Sequence, residues 1–310
     1  MKTVIPDYYP RFACLMGACR HTCCAGWEID VDEESLARYR QLPGTFGARI
    51  RESLEEKDGV TSFRLGDGER CPFLREDGLC DMIVHLGKDS LCQICADHPR
   101  FRNYFSDRVE IGLGLCCEAA AALILKNPSP VTLCTLDTDG ETDAPDEEEQ
   151  ALLALRERWI LTAQDRRLPF SRRLKALEKE LTFPLQDVRA YLPLLRTLET
   201  LDDSWQRQLD LLESASPLPL DSAFDAPMEQ LLVYLLYRHV PAALIDGDAE
   251  GKLGYAILIC RLLSSILGCR MAMGEHVTPD ALCDLARMYS GEIEYSDENL
   301  FALFDELAGT

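Results

Sequence analysis

The sequence predicts a mainly α-helical protein, in which a cysteine-rich metal-binding module with a short β-hairpin is followed by an α-helical domain. Eleven of the 14 cysteines lie before residue 135. Residues 137–149 carry eight acidic side chains and no basic one. Beyond them, apolar residues recur with the helical period of about 3.6. We therefore predict a metal or iron–sulfur module at 1–135, an acidic linker at 136–149 and an α-helical domain at 150–310.

The composition is typical of a folded protein: 47% of the 310 residues are hydrophobic and 27% are charged. The net charge of −21 repels a phosphate backbone, which argues against nucleic-acid binding and favours a cationic, lysine-bearing partner. We expect no membrane segment, because Arg238, Pro241 and Arg261 interrupt the most apolar stretches before they reach about 18 residues. The first residues resemble no secretion signal, so we expect a cytoplasmic protein. The oligomeric state stays open.

In the first module, the patterns predict helices over 35–40 and 46–54. A strand over 61–65 with a turn at 66–68 predicts one short hairpin. In the second module, Pro227 is expected to begin a helix whose residues 231–237 are apolar on all sides, and which ends at Pro241. Thr278 and Pro279 predict the start of a helix over 280–289, and Ser296 is expected to cap the last helix.

Clustered cysteines without a secretion signal indicate metal or redox chemistry, because disulfides are rare in a reducing compartment. Thiolates are soft ligands that select zinc, iron–sulfur clusters or Cu(I). Cys260, Cys269 and Cys283 lie on apolar helix faces and are expected to be buried small side chains. The clustered residues are Cys14-x4-Cys19-x3-Cys23-Cys24, Cys71-x8-Cys80, Cys92-x2-Cys95 and Cys116-Cys117.

Several motifs of the chain resemble a known family. The first of these motifs resemble the CxxCxxCC-type zinc- or iron-chelating domain, and the set as a whole resembles the bacterial flagellin lysine-N-methylase family. They are Phe12-x-Cys14 through Cys23-Cys24-x-Gly26-Trp27, Cys71-Pro72-Phe73-Leu74, Gly78-Leu79-Cys80, Cys95-x-x-His98-Pro99-Arg100, Cys116-x-Glu118, Tyr237-Arg238-His239 and Tyr289-Ser290-Gly291-Glu292-Ile293-Glu294-Tyr295. The resemblance implies transfer of methyl groups from S-adenosylmethionine to flagellin lysines.

The resemblance also implies a set of metal ligands. Cys92 and Cys117 fall outside the family pattern. Either they are not ligands, or each replaces a neighbouring cysteine as a ligand. Eight thiolates suit a [4Fe–4S] cluster or two four-thiolate ions, and we favour iron–sulfur over zinc. The eight implied ligands are Cys14, Cys19, Cys23, Cys24, Cys71, Cys80, Cys95 and Cys116.

Methylation of lysine requires a neutral amine, although free lysine has a pKa of about 10.4, so a group must take the proton. Glu292 and Glu294 flank Ile293 at a spacing that places both carboxylates on one side of an extended segment. They are candidates to bind or deprotonate the substrate ammonium; a solvated pair is the alternative. His239, at the end of an apolar helix, is a further catalytic candidate; alternatively, it complements the charge at the C-terminus of that helix. Tyr289 is also a candidate, and the alternative is that it only packs in the core.

The resemblance therefore implies an S-adenosylmethionine-dependent lysine methyltransferase acting on flagellin. No signature for binding the methyl donor can be read, since Gly112-x-Gly114 is only a fragment of a glycine-rich loop. Two alternatives remain open: a non-catalytic zinc- or iron-chelating protein, and a redox protein built on a cluster.

Overall fold

The computed structural model describes residues 1–138, 140 and 143–308. The chain forms two compact units, and the first is a continuous segment, Ala13–Arg100. The second, larger unit combines Met1–Phe12 with Phe101–Thr310. The cysteine-rich unit is thus inserted in the sequence of the larger one.

The cysteine-rich unit contains short helices and one β-hairpin around a small apolar core. Buried aromatic rings of Tyr39, Phe63 and Phe73 form its centre, together with Ile50 and the Cys92 thiol. The elements are α1 Glu33–Gln41, α2 Gly44–Glu52, β2 Leu54–Lys57, β3 Val60–Phe63, α3 Asp81–Leu86 and α4 Gln93–Asp97.

Asp32 fixes two helices of this unit at once. One carboxylate oxygen accepts a hydrogen bond of 2.9 Å from the Ser35 amide and so caps α1. The other accepts a bond of 2.8 Å from the amide of Gln93, the first residue of α4. Since α4 lies between Cys92 and Asp97, this contact orients the segment that carries Cys95.

A four-stranded sheet lies in the larger unit and consists of β1 Lys2–Pro6, β4 Arg100–Tyr104, β5 Arg108–Leu113 and β6 Leu133–Thr138. The strand order is β4-β5-β1-β6. Strand β1 lies inside the sheet, parallel to β5 and antiparallel to β6. The residues closest to the start of the chain therefore pair with partners more than a hundred positions away.

The rest of the larger unit is helical, and most of its apolar side chains join one core. The bounds of the α-helices are α5 Glu118–Leu125, α6 Glu147–Ala163, α7 Phe170–Glu178, α8 Leu192–Leu195, α9 Asp203–Ser214, α10 Asp225–His239, α11 Ala243–Asp246, α12 Ala249–Ala272, α13 Pro279–Tyr289 and α14 Asp297–Ala308.

Helices α10 and α12 form the centre of this core because both are mostly apolar and are buried on nearly every side. By length and composition alone, α12 is long and apolar enough to cross a membrane. However, 83% of its most apolar 18-residue window is buried inside the protein, which is what a central core helix requires.

The predicted helices are present, although the one expected over 46–54 ends at Glu52 and Leu54 begins β2. Three other expectations need correction. The chain divides at residues 12 and 100, because residues 101–135 pair and pack with the helical unit. The hairpin turns at Asp58 and Gly59, both at positive φ, a turn chemistry suited to two-residue hairpins. Residues 66–68 instead lead into a short 3₁₀ turn.

The acidic linker predicted at 136–149 is wrong at both ends. Residues up to Thr138 belong to β6, and α6 begins at Glu147, where acidic side chains complement the positive end of the helix dipole. Asp146 caps α6 by accepting a bond of 2.8 Å from the Glu149 amide. Positions 139, 141 and 142 of the predicted linker lie outside the described residues.

Candidate functional site

The candidate site is a buried polar cluster around Glu294 in the larger unit. Helix α13 is followed directly by a π-helical turn, Ser290–Glu294, closed by a bond of 3.2 Å from the Tyr295 amide to the Ser290 carbonyl. The additional residue of a π turn changes which side chains point inward, and such turns are frequent at functional sites. Here it directs Glu294 toward the C-terminal turn of α10.

Both carboxylate oxygens of Glu294 are engaged by side chains of α10. The Tyr234 hydroxyl donates a bond of 2.7 Å to Oε2, and His239 Nε2 lies 2.6 Å from Oε1. Arg238 donates a hydrogen bond of 2.8 Å to the Tyr234 hydroxyl and one of 3.1 Å to the Glu294 carbonyl oxygen. The predicted candidates Glu294 and His239 are therefore in direct contact.

The charges of this cluster follow from its burial and its partners. Burial by itself would raise the pKa of Glu294, but the Arg238 guanidinium and the His239 hydrogen bond lower it to about 2. Burial lowers the pKa of His239, and its bond to Glu294 offsets this only in part. The site thus holds a carboxylate, a guanidinium and a neutral imidazole that donates from Nε2, which leaves Nδ1 as the basic nitrogen.

Tyr289 joins the cluster through a second tyrosine. Its hydroxyl is hydrogen-bonded to that of Tyr255 on α12, and both lie in the electrostatic range of Glu294. The His239 ring packs edge-on against Tyr255 at a centroid distance of 5.1 Å. Lys252 is only 1% exposed, and its Nζ lies 4.0 Å from the Phe304 ring centroid. The same nitrogen donates a hydrogen bond of 2.6 Å to the Asp246 carboxylate.

Tyr295 connects this cluster to the surface. The residue is 42% exposed, while its hydroxyl lies close to the Cα of Gly114 and is hydrogen-bonded to the Cys116 thiol. Burial raises the pKa of Cys116 to about 12, although the Tyr295 bond opposes the shift. Arg238 lies against the Tyr295 ring, 4.9 Å from its centroid.

Glu292 lies apart from this cluster, in contrast to the predicted geometry. Its two carboxylate oxygens accept bonds of 2.9 and 2.6 Å from the amides of Leu201 and Asp202. The sequence argument assumed an extended segment, but a two-residue spacing on a π turn sends Glu292 and Glu294 in different directions. Glu292 holds the loop before α9.

Two pairs of thiols lie in the cysteine-rich unit, together with four further cysteines. Hydrogen bonding with the Cys23 thiol lowers the pKa of Cys24 to about 7, against the effect of burial. Cys92 and Cys95 form a second hydrogen-bonded pair. Cys71, whose pKa burial raises to about 12, lies in electrostatic range of Cys24, Cys80 and Cys92.

These thiols fit a soft metal by their chemistry, since they are sulfur donors gathered at one apolar cluster. Within the described part of the chain, no three His, Cys, Asp or Glu side chains are placed to hold one metal ion together. Cys14 is exposed and accepts a bond of 3.3 Å from the Met16 amide, and Cys19 is partly exposed. Cys116 lies in the other unit, beside Tyr295.

A small, partly enclosed cavity of about 20 Å³ lies next to the cluster, lined by apolar side chains and by the rings of Tyr8, Tyr234 and Tyr237. It has room for about one water molecule, whereas cofactor pockets measure about 300 Å³ or more. This cavity does not fit S-adenosylmethionine, so no methyl-donor residue is assigned to it.

The chain is similar to curated proteins with related names. It is 30% identical over 135 residues to the lysine-N-methylase of Salmonella typhimurium strain LT2 and to that of Salmonella choleraesuis strain SC-B67. It is 28% identical over 139 residues to the flagellar biosynthetic protein FliU of Salmonella muenchen. Each match covers 41% of this chain.

The matches cover 33% of each lysine-N-methylase and 79% of FliU, so the chain spans about a third of the length of the first two. No family model matches the chain. No solved structure matches it. The named relatives confirm the resemblance to the flagellin lysine-N-methylase family that the motifs predicted.

Sequence reasoning found three members of the cluster but missed Tyr234 and Tyr255. Both tyrosines lie in apolar helices, where a hydroxyl must find a partner when it is buried. Lys252 was missed as well, although its sequence context indicated a buried polar site more strongly. A lysine within a long apolar helix must be paired or lie at a polar site.

Proposed function

We propose that this chain methylates lysine side chains of flagellin with S-adenosylmethionine as methyl donor, in the cytoplasm. The observation that carries the proposal is the buried pair of Glu294 and His239, since amine methylation needs a positioned base. The similarity to proteins named lysine-N-methylase and FliU supports the substrate class. The net charge of −21 favours a lysine-bearing partner.

In the proposed reaction His239 is the base and Glu294 its partner. Glu294 has a pKa of about 2, which makes its carboxylate a poor proton acceptor at neutral pH. Its bond to Nε2 instead orients the imidazole and stabilises the imidazolium once Nδ1 has taken a proton from the substrate ammonium. S-adenosylmethionine would supply the methyl group to the neutral amine.

Matched variants test the roles of these two residues. Metal-replete protein is incubated with flagellin and S-adenosylmethionine, and mass spectrometry follows steps of about 14 Da on flagellin peptides. We expect His239→Gln and Glu294→Gln to slow methylation by about 100-fold or more, as loss of a general base or its partner does. The controls are His276→Gln and Glu298→Gln, which alter exposed residues of the same unit.

The same assay separates the proposal from its alternatives. If the wild-type protein with bound metal leaves flagellin unmodified, the enzymatic proposal fails and the chelating or redox alternatives take its place. If both buried variants turn over as fast as their controls, His239 and Glu294 are not the acid–base pair.

We also propose that the cysteine-rich unit carries an iron–sulfur cluster in preference to zinc. The hydrogen-bonded thiol pairs Cys23–Cys24 and Cys92–Cys95, near Cys71, support a soft-metal site. When a metal binds, metal–thiolate bonds would replace the hydrogen bonds between these thiols. Anaerobic purification followed by metal and sulfide assays tests this. Iron with matching sulfide and a visible band near roughly 400 nm supports a cluster. Zinc without a visible band refutes it.

A further inference from the structure

Arg238 is held between two aromatic rings on the side of the site that reaches the surface. Its guanidinium carbon lies 5.0 Å from the Phe101 ring centroid and 4.9 Å from that of Tyr295. Cations are attracted to ring faces at such distances. Two flanking rings therefore restrict where the guanidinium can lie.

Two glycines at the end of β5 make room for these rings. A Cβ at Gly112 would lie 2.1 Å from the tip of the Phe101 ring, and one at Gly114 would lie 2.1 Å from the Tyr295 hydroxyl oxygen. Neither glycine has a positive φ, so space rather than backbone conformation requires glycine here. Their spacing of two residues, which lies on one face of a strand, serves two neighbouring rings.

We propose that Phe101 and Tyr295, seated over Gly112 and Gly114, form an aromatic clamp that fixes Arg238 as the positioning residue of Glu294. Through its two bonds, Arg238 orders the Tyr234 hydroxyl that donates to one carboxylate oxygen, and also the Glu294 backbone. The Gly-x-Gly fragment thus makes space for protein side chains. The effect of the clamp on methylation rests on the proposed function. Its effect on the position of Arg238 does not.

The charge on His239 reports whether the clamp holds Arg238. The charged groups that face this imidazole are Glu294 on the π turn, Arg238 on its own helix and Lys252 on α12, with the Tyr255 ring beside it. The two cations disfavour the imidazolium and the carboxylate favours it. Displacing Arg238 therefore raises the pH at which His239 becomes protonated.

The test is an NMR pH titration of the His239 ring in the full chain without methyl donor. Arg238→Gln gives the full upward shift of the His239 midpoint, and Gly114→Ala and Tyr295→Leu are expected to give a shift in the same direction. Gly291→Ala is the matched control, because a Cβ there meets no atom within 4 Å.

Two results would overturn the inference. If Tyr295→Leu leaves the midpoint at the wild-type value while Arg238→Gln moves it, the rings do not hold the guanidinium. If Arg238→Gln does not move it, Arg238 does not act on the pair. Because Gly114→Ala adds bulk and could unfold the chain, Tyr295→Leu alone decides in that case. The titration needs no turnover, so its failure is distinct from failure of the methylation assay.

Discussion

Arg156 on α6 should contribute far more to stability than Arg158, two residues further along the same helix. Arg156 donates two bonds of 2.7 Å to the carboxylate of Glu110 on β5, with side chains only 4% and 1% exposed. Arg158 pairs with Glu180 at 2.5 Å, with side chains 60% and 33% exposed. Removing one member of a buried pair leaves an uncompensated charge and costs about 3–5 kcal/mol, whereas an exposed pair contributes about 1 kcal/mol or less.

Thermal unfolding followed by circular dichroism measures the difference. For a unit of this size, 1 kcal/mol corresponds to about 2–4 °C, so Arg156→Met should lower the melting temperature by roughly 6–20 °C. Arg158→Met should lower it by about 4 °C or less. The double variant Glu110→Leu with Arg156→Met should recover most of the loss, since no buried charge remains. Equal effects of the two single arginine variants would refute the reasoning.

Three further results are expected. Replacing Asp32 by Ala should cost about 1–2 kcal/mol in urea unfolding at pH 7, unlike Asp30→Ala at an exposed position, because one carboxylate caps α1 and binds the start of α4. Because the folded pKa of Glu294 is about 2 and its unfolded pKa about 4.3, its stabilisation is complete above about pH 5 and lost as pH falls toward 2. Melting temperatures across that range should show a shallower acid slope in Glu294→Gln, and identical slopes would contradict the assigned charge. Cys95→Ser should lower bound metal per chain in an elemental assay, with exposed Cys134→Ser as control and equal metal contents as the contrary outcome.

The helices were predictable from the sequence because their signals are local. The apolar run of α10 and the Thr278–Pro279 start of α13 each lie within a few residues of the element that they specify. The sheet was not predictable in this way. Strand β1 finds its partners near residues 108 and 134, and no local pattern links positions so far apart.

The candidate site was only partly predictable. His239 was selected as a polar residue beside an apolar run, which is the correct physical signal, whereas Glu294 was selected for its spacing from Glu292. Their pairing depends on the π turn after α13, and the insertion of a single residue into a helix leaves no pattern that distinguishes Glu292 from Glu294. The acidic stretch before α6 was misread because high charge occurs in solvated linkers as well as in capped helix starts.

The insertion of one unit within the other also sets an order of folding during synthesis. Strand β1 is synthesised before the cysteine-rich unit but has no β5 partner until residues 108–113 have been made. The continuous segment Ala13–Arg100 is complete before then and can fold by itself as it emerges, as domains generally do. We therefore expect the cysteine-rich unit to fold before the larger unit during synthesis, while strand β1 waits for the rest of its sheet.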